Sequence, residues 1–145
     1  MPISKNARFI GPDKPGAEHY PLGNGLLKAI QSHVKSHGYA VKPVENWRDT
    51  GWEFFCSLQE EDFQVVLCSA TENEWFMQIA PEFVPGLIAR LLGKRASAES
   101  KGTFQLAKTI HMWLTRDGAY SNFRWAWDGP PKNRDLSEPT AHILD

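Results

Sequence analysis

Hydrophobic and polar residues alternate most regularly between residues 51 and 80. Apolar side chains occupy every second position in three runs: Trp52, Phe54, Cys56 and Leu58; then Phe63, Val65 and Leu67; then Trp75, Met77 and Ile79. Because successive side chains of a strand point to opposite faces, each run predicts a strand with one apolar face. Polar segments at 59–62 and 71–73 predict antiparallel hairpins. Pairing Leu58 with Phe63, and Leu67 with Met77, keeps the apolar sets on one face.

The opposite face of these strands carries a second set of apolar residues, Phe55, Val66 and Phe76. A face exposed to water would be mostly polar, so we expect this patch to be covered. Val66 is predicted to lie between the two rings and to touch both. The cover would be a partner protein, a second copy, or a chain end that docks through Phe9–Ile10 or Ile143–Leu144.

The remaining elements follow from helical and strand periodicities elsewhere in the chain. We predict a helix over 22–37, a strand over 39–47, helices over 85–93 and 103–116, and a strand over 121–127. Asn24 is the expected N-cap of the first helix, and Gly38 its left-handed C-terminal residue. Pro43 cannot donate to a sheet ladder, so its strand is expected at an edge or with a bulge.

The predicted order of elements, α-β-β-β-β-α-α-β, lacks the alternation of a doubly wound fold. It predicts an α+β protein, an antiparallel meander sheet of four to five strands with helices packed on one face. We expect one domain over residues 1–145. Residues 1–21 and 128–145 are polar and contain several prolines, so they are predicted to be loosely structured terminal segments.

The composition of the chain limits the kinds of molecule that we expect it to bind. The chain has 145 residues, 41% of them hydrophobic, and a formal net charge of −1. Lys94–Arg95 is its longest basic run, so nucleic acid is not an expected partner. It has neither an apolar run long enough to span a membrane nor an apolar segment typical of a secretory signal near Met1. We therefore expect a cytoplasmic setting without membrane contact.

The two cysteines and six tryptophans allow contrasting interpretations. Cys56 and Cys68 should point to opposite faces of one hairpin and stay reduced. Most tryptophans are expected to fill the core. The alternative is a small-molecule or glycan site in which Trp125 and Trp127, with Arg124 and His111, form a stacking wall.

Motifs of catalysis are sparse. The chain contains no GxSxG, Walker, GxGxxG or CxxC sequence. His111 is the best single candidate for acid–base chemistry, although a histidine beside an apolar helix face is usually a packed, hydrogen-bonded side chain. His33 and His37 are four residues apart, yet zinc needs three or four ligands, so no metal and no cofactor are expected. The acidic run 60–62 is interpreted as a solvated hairpin tip.

Three functions stay open at this point. The first is a non-catalytic protein-binding module that uses Phe55, Val66 and Phe76 to bind a dedicated protein partner or a second copy. The second is the small-molecule or glycan site, and the third and weakest is an enzyme that uses His111. The size and layered pattern resemble small bacterial domains that bind one protein, such as toxin-immunity proteins and secretion chaperones. That resemblance concerns architecture, which alone does not fix function.

Overall fold

The three alternating runs form neighbouring strands of an antiparallel sheet in the computed structural model, which describes residues 5–11, 22–70, 73–81, 96–116, 118–127 and 137–139. These residues form nine elements: β1 (Lys5–Ile10), α1 (Asn24–Ser36), β2 (Ala40–Val41), β3 (Glu45–Trp47), β4 (Gly51–Leu58), β5 (Glu61–Ser69), β6 (Glu74–Pro81), α2 (Ala96–Arg116) and β7 (Ser121–Trp127). Described strands follow the order β2-β4-β5-β6-β1-β7, and β3 also pairs with β4. The α+β class is confirmed, but this sheet has seven strands rather than four to five.

The central meander, β4 to β6, keeps the predicted faces. Leu67 pairs with Met77, as predicted. In the first hairpin Leu58 pairs with Glu61, and Cys56 takes the place opposite Phe63 that was predicted for Leu58. The pairing is therefore shifted by two residues. Because side chains alternate with a period of two, this shift leaves every apolar residue on its predicted face.

The shift arises in the turn between β4 and β5. Its central residues are Gln59 and Glu60, with φ angles of 51° and 68°, instead of the four-residue turn predicted over 59–62. Positive φ at both central residues is typical of a type I′ turn, whose twist matches that of the flanking strands. Neither residue is the Asn or Gly that usually marks such a turn, so the sequence did not reveal it.

Strand β1 lies within residues 1–21, the segment predicted to be loosely structured. Lys5–Ile10 pairs with β6 on one side and with β7 on the other. Ala7 and Phe9 face the core, and the Phe9 ring stacks on Phe123 with 5.5 Å between ring centroids. One alternative from the sequence placed both Phe9 and Ile10 on the face opposite the core. Phe9 faces the core instead, whereas Ile10 lies on the opposite face. Residues 1–4 and 12–21 are outside the described ranges.

The predicted strand over 39–47 is divided into β2 and β3. Both pair with β4 at the edge of the sheet, β2 beside its C-terminal half and β3 beside its N-terminal half. Pro43 lies in the interruption between them, as expected of a residue that cannot donate to the ladder. The edge position of this segment is confirmed.

Helix α1 begins two residues later and ends one residue earlier than the predicted range 22–37. Its N-cap is Gly23, with a left-handed φ of 114°, rather than the predicted Asn24. Gly38 has a φ of 94°, which confirms the left-handed residue after the helix. The buried side chains of α1 are Leu27, Ile30 and Val34, spaced as one stripe.

Helix α2 begins at Ala96, seven residues before the predicted start at Thr103, and ends at Arg116 as predicted. Its buried stripe consists of Leu106, Ala107, Ile110 and Leu114. The helix predicted over 85–93 lies outside the described residues. Among the helices that are described, neither combines the length and apolarity needed to cross a bilayer.

Both described helices pack on one face of the sheet, which we call the inner face. Its side chains form the core: Phe54, Phe63, Val65, Leu67, Trp75, Met77 and Ile79 are buried, and Trp52 and Leu58 pack at its margin. This is the set predicted from the alternation. Cys56 belongs to it, whereas Cys68 lies on the other face, and both thiols are free, as predicted.

Candidate functional site

The face of the sheet opposite the helices, which we call the outer face, contains all three residues predicted to bind a partner. Phe55, Val66 and Phe76 alternate with inner-face residues on β4, β5 and β6. Val66 is only 2% exposed, and both rings are partly buried. Within the described ranges, no helix packs on this face.

The register shows how these three residues are arranged. Val66 lies directly opposite Glu53 on one side and Gln78 on the other. Phe55 is opposite Gln64, and Phe76 is opposite Cys68. Each ring is therefore a diagonal neighbour of Val66 rather than the residue directly opposite it, at a Cβ separation of somewhat less than about 7–8 Å, which an aromatic side chain can still span. The three apolar residues form a diagonal line across β4, β5 and β6, with Glu53, Gln64 and Gln78 beside it.

Polar residues between the rings are hydrogen-bonded to one another. Gln64 Nε2 donates to Glu53 Oε2 at 2.7 Å, beside Phe55. Glu45 on β3 lies directly opposite Glu53, and Asp62 is exposed at the hairpin end of the same face. Lys42 lines a pocket with Phe55 and Asp62 here, so the described charges of the β3–β4 side are three carboxylates and one lysine, a net negative charge.

The β1–β7 side of the outer face has the opposite charge. Arg8 and Arg124 lie directly opposite each other on neighbouring strands, an arrangement that by itself is repulsive. The Glu74 carboxylate lies between them: Oε1 accepts from Arg8 Nη2, and Oε2 accepts from Arg124 Nη2 at 3.3 Å. These three side chains keep 35%, 26% and 15% of their surface exposed, in the order Arg8, Arg124 and Glu74. Among the described residues, this side therefore has one more cation than carboxylate.

The inner-face candidate for catalysis, His111, is a packed and hydrogen-bonded side chain. It is 8% exposed, and its Nδ1 accepts the indole N–H of Trp125 at 3.1 Å. The rings of Phe123 and Trp125 meet it edge to face, at 4.8 Å and 5.7 Å between centroids. Since an indole nitrogen only donates, His111 carries its proton on Nε2 and is neutral here. Burial lowers its pKa below 6.5, and the negative charge of Glu138 partly offsets this.

The residues of the predicted ligand wall do not all meet. His111 and Trp125 are in contact on the inner face, but Arg124 belongs to the outer face, where it binds Glu74. The side chain of Trp127 lies outside the described residues. The structure thus joins two of these four residues and separates a third from them by the thickness of the sheet.

The rings of His33 and His37 lie beside each other at the C-terminal end of α1, tilted by 54° with 4.4 Å between centroids, and the Trp113 ring centroid of α2 lies 6.0 Å from that of His33. Burial lowers the pKa of His33 first, and the charges of His37 and Arg116 lower it further. In the described part of the chain, no group of three or more His, Cys, Asp or Glu side chains is placed to hold a metal ion.

Two features of these surfaces were missed at the level of sequence. The Arg8–Glu74–Arg124 cluster joins three strands, and it exists only because β1 inserts between β6 and β7. Glu61 was placed in a solvated tip with its neighbours, yet its Oε2 is buried. A signal for Glu61 was available, because it precedes the inner-face residue Phe63 by two positions and so shares its face.

Comparison with the models of known protein families and with curated protein sequences finds no match for this chain. The chemistry of the described surfaces therefore has to carry any functional argument.

Proposed function

We propose that this chain is a non-catalytic protein-binding module, and that its outer face binds a second copy of itself. The observation that carries this proposal is the composition of that face. Phe55, Val66 and Phe76 cross three neighbouring strands, and arginine and glutamate side chains flank them. Interfaces are enriched in aromatic residues and arginine around an apolar centre, with a polar rim.

The distribution of charge supports a second copy as the partner. The acidic side of the face, with Glu45 and Glu53, and the basic side, with Arg8 and Arg124, lie at opposite ends of the strand order. When two copies meet face to face, a two-fold axis parallel to the strands brings the acidic side of each copy over the basic side of the other. The same patch then serves both partners, as an isologous interface requires.

This proposal also fits the positions of the other candidates. His111 is neutral, buried and occupied by Trp125, which suits a structural role better than proton transfer. The free thiols of Cys56 and Cys68 are consistent with the reducing, cytoplasmic setting expected from the sequence.

Sedimentation equilibrium of the purified chain tests the proposal. We expect wild type to form dimers that dissociate on dilution. The double change Phe55→Thr with Phe76→Thr should abolish association while the monomer stays folded, because threonine keeps the strand preference but removes both rings. Glu45→Lys should weaken association, because it places a cation opposite the basic side of the other copy.

Met112→Thr is the matched control. Met112 is apolar and 61% exposed on α2, away from the outer face, so its replacement should leave association unchanged. A wild type that sediments as a monomer at every concentration would contradict a second copy as the partner. Dimers that survive the double change would show that the chain associates through another surface.

A further inference from the structure

A cavity of about 330 Å³ lies between the β4–β5 hairpin and helix α2, on the inner side of the sheet. Its inner wall consists of Tyr39, Leu58 and Phe63, and the rings of Tyr39 and Phe63 meet edge to face with 6.4 Å between centroids. Both rings are almost fully buried, at 6% and 2% exposure. The volume falls within the range of small-molecule sites, which have mainly apolar walls. This cavity is therefore a candidate ligand site, separate from the outer face.

The lining of this cavity has no net formal charge among the described residues. Its other side chains are Gln59, Glu61, Lys101 and Gln105, in which the carboxylate and the ammonium balance each other. Glu61 already takes part in an interaction within the protein, and its Oε2 is buried where Gly102 of α2 approaches it. Gln59, Lys101 and Gln105 are exposed, so they form the rim of the cavity. An ionic ligand would thus find no unbalanced charge of the opposite sign in this lining.

Burial also disfavours charge at the inner wall. It is the first cause that raises the pKa of Tyr39 to about 12, ahead of smaller contributions from Cys56 and Glu61. A group whose charged form is opposed by burial lies in a poorly hydrated environment, in which an ionic ligand would lose hydration without compensation. The phenol of Tyr39 keeps its proton at neutral pH, so its O–H remains a hydrogen-bond donor. Of the three side chains in the inner wall, only Tyr39 carries a polar group.

We propose that this cavity binds a small uncharged molecule that has an apolar, aromatic body and one hydrogen-bond acceptor. The body packs against Leu58 and against the rings of Tyr39 and Phe63, since aromatic rings favour edge-to-face and offset contacts with one another. The acceptor receives a hydrogen bond from the O–H of Tyr39. Glu61 keeps the interaction that it already has within the protein. This site does not depend on association through the outer face.

Three naphthalene derivatives of similar size test the preference for an uncharged ligand on the wild-type protein. Near neutral pH, 2-naphthalenemethanol is uncharged, 2-naphthylmethylamine is a cation and 2-naphthoic acid is an anion. Isothermal titration should show that the alcohol binds at least about tenfold more tightly than either ion, because each ion has to give up hydration in the cavity. An ion that binds as tightly as the alcohol, or no binding of the alcohol at millimolar concentration, would overturn the proposal.

Three variants, each shown by thermal unfolding to be folded, then locate the site. Leu58→Trp should abolish binding of the alcohol, because the larger ring occupies the cavity. Met112→Trp adds the same ring at an exposed position of α2, away from the cavity, and should leave the affinity unchanged. Tyr39→Phe keeps the ring but removes the O–H, and should weaken binding about threefold to tenfold. Wild-type affinity in Leu58→Trp would place the ligand elsewhere and refute the assignment, and wild-type affinity in Tyr39→Phe would refute the hydrogen bond.

Discussion

Two rows of side chains cross the sheet one residue apart along the strands, and they differ in chemistry. The inner row runs Trp52–Leu67–Met77–Ala7–Trp125, and the outer row runs Glu53–Val66–Gln78–Asn6–Ala126. Leu67 and Val66 are adjacent on β5 and almost equally buried, at 0% and 2% exposure. Leu67 has apolar neighbours on both sides, whereas Val66 has a carboxylate and an amide. Burial alone therefore does not distinguish a core from a candidate interface, but the neighbours of each residue do.

The comparison also separates two ways of accommodating polar groups. On the inner face, His111 is satisfied by one hydrogen bond from Trp125, in a site enclosed by rings. On the outer face, Glu74 joins two arginines that both remain partly exposed. Charges with such exposure contribute little to folding, because water screens them, but they can select a partner. The inner face thus specifies the fold, and the outer face carries the charges that we propose to select a second copy.

The largest expected effect tests this contrast directly. Leu67→Ala should lower the free energy of unfolding by about 2–5 kcal/mol, because it opens a cavity against apolar neighbours on every side. Val66→Ala is the matched change one residue away and should cost less than half as much, because polar side chains beside it can shift and water can enter. Urea unfolding of both variants at low protein concentration measures the difference. Equal costs would show that the outer row is packed like the core.

A smaller effect concerns the response of the inner face to pH. Burial lowers the pKa of His111 in the folded protein below its ordinary value of 6.5, so the unfolded chain binds this proton more readily. The stability that depends on a neutral His111 is therefore fully present above pH 6.5, and it is lost as the pH falls through the pKa that His111 has in the folded protein. Protonation of Nδ1 would also remove the hydrogen bond from Trp125.

The test of His111 compares thermal unfolding of wild type with that of His111→Gln between about pH 7 and pH 5. Glutamine keeps an acceptor for Trp125 but does not titrate, so wild type should lose stability faster on acidification. The other histidines are the same in both proteins, so the difference between the two curves reports His111 alone. Parallel curves for wild type and His111→Gln would show that His111 titrates equally in both states.

The smallest expected effect concerns the turn between β4 and β5, which determines how the residues of these two strands pair. Glu60 adopts a φ of 68°, a left-handed conformation that glycine adopts without strain. Glu60→Gly should therefore stabilise the protein by about 0.5 kcal/mol, after the entropy lost by glycine on folding is subtracted. Glu60→Ala removes the same charge but keeps the strain, so it should not stabilise. A stabilisation shared by both variants would attribute the gain to charge rather than to the turn.

The sequence by itself determined which residues form the meander and which face each of them takes. That information is local, because side chains of a strand alternate with a period of two. The assignment of residues to faces therefore stayed correct even though the predicted pairing at Leu58 was wrong by two residues. It also located the edge segment interrupted at Pro43 and the glycine that follows α1. The apolar residues of the outer face, Phe55 and Phe76, were visible for the same reason, as apolar positions where polar ones were expected.

Only the tertiary structure decided which distant residues meet. Strand β1 has a weak pattern of its own, and its place between β6 and β7 depends on backbone pairing with segments far along the chain. That insertion brings Arg8 and Arg124 to the two sides of Glu74. The contact of His111 with Trp125, and the approach of Glu61 to Gly102, likewise join helix to sheet. Such contacts depend on the free energy of the whole folded chain, which no local periodicity of the sequence encodes.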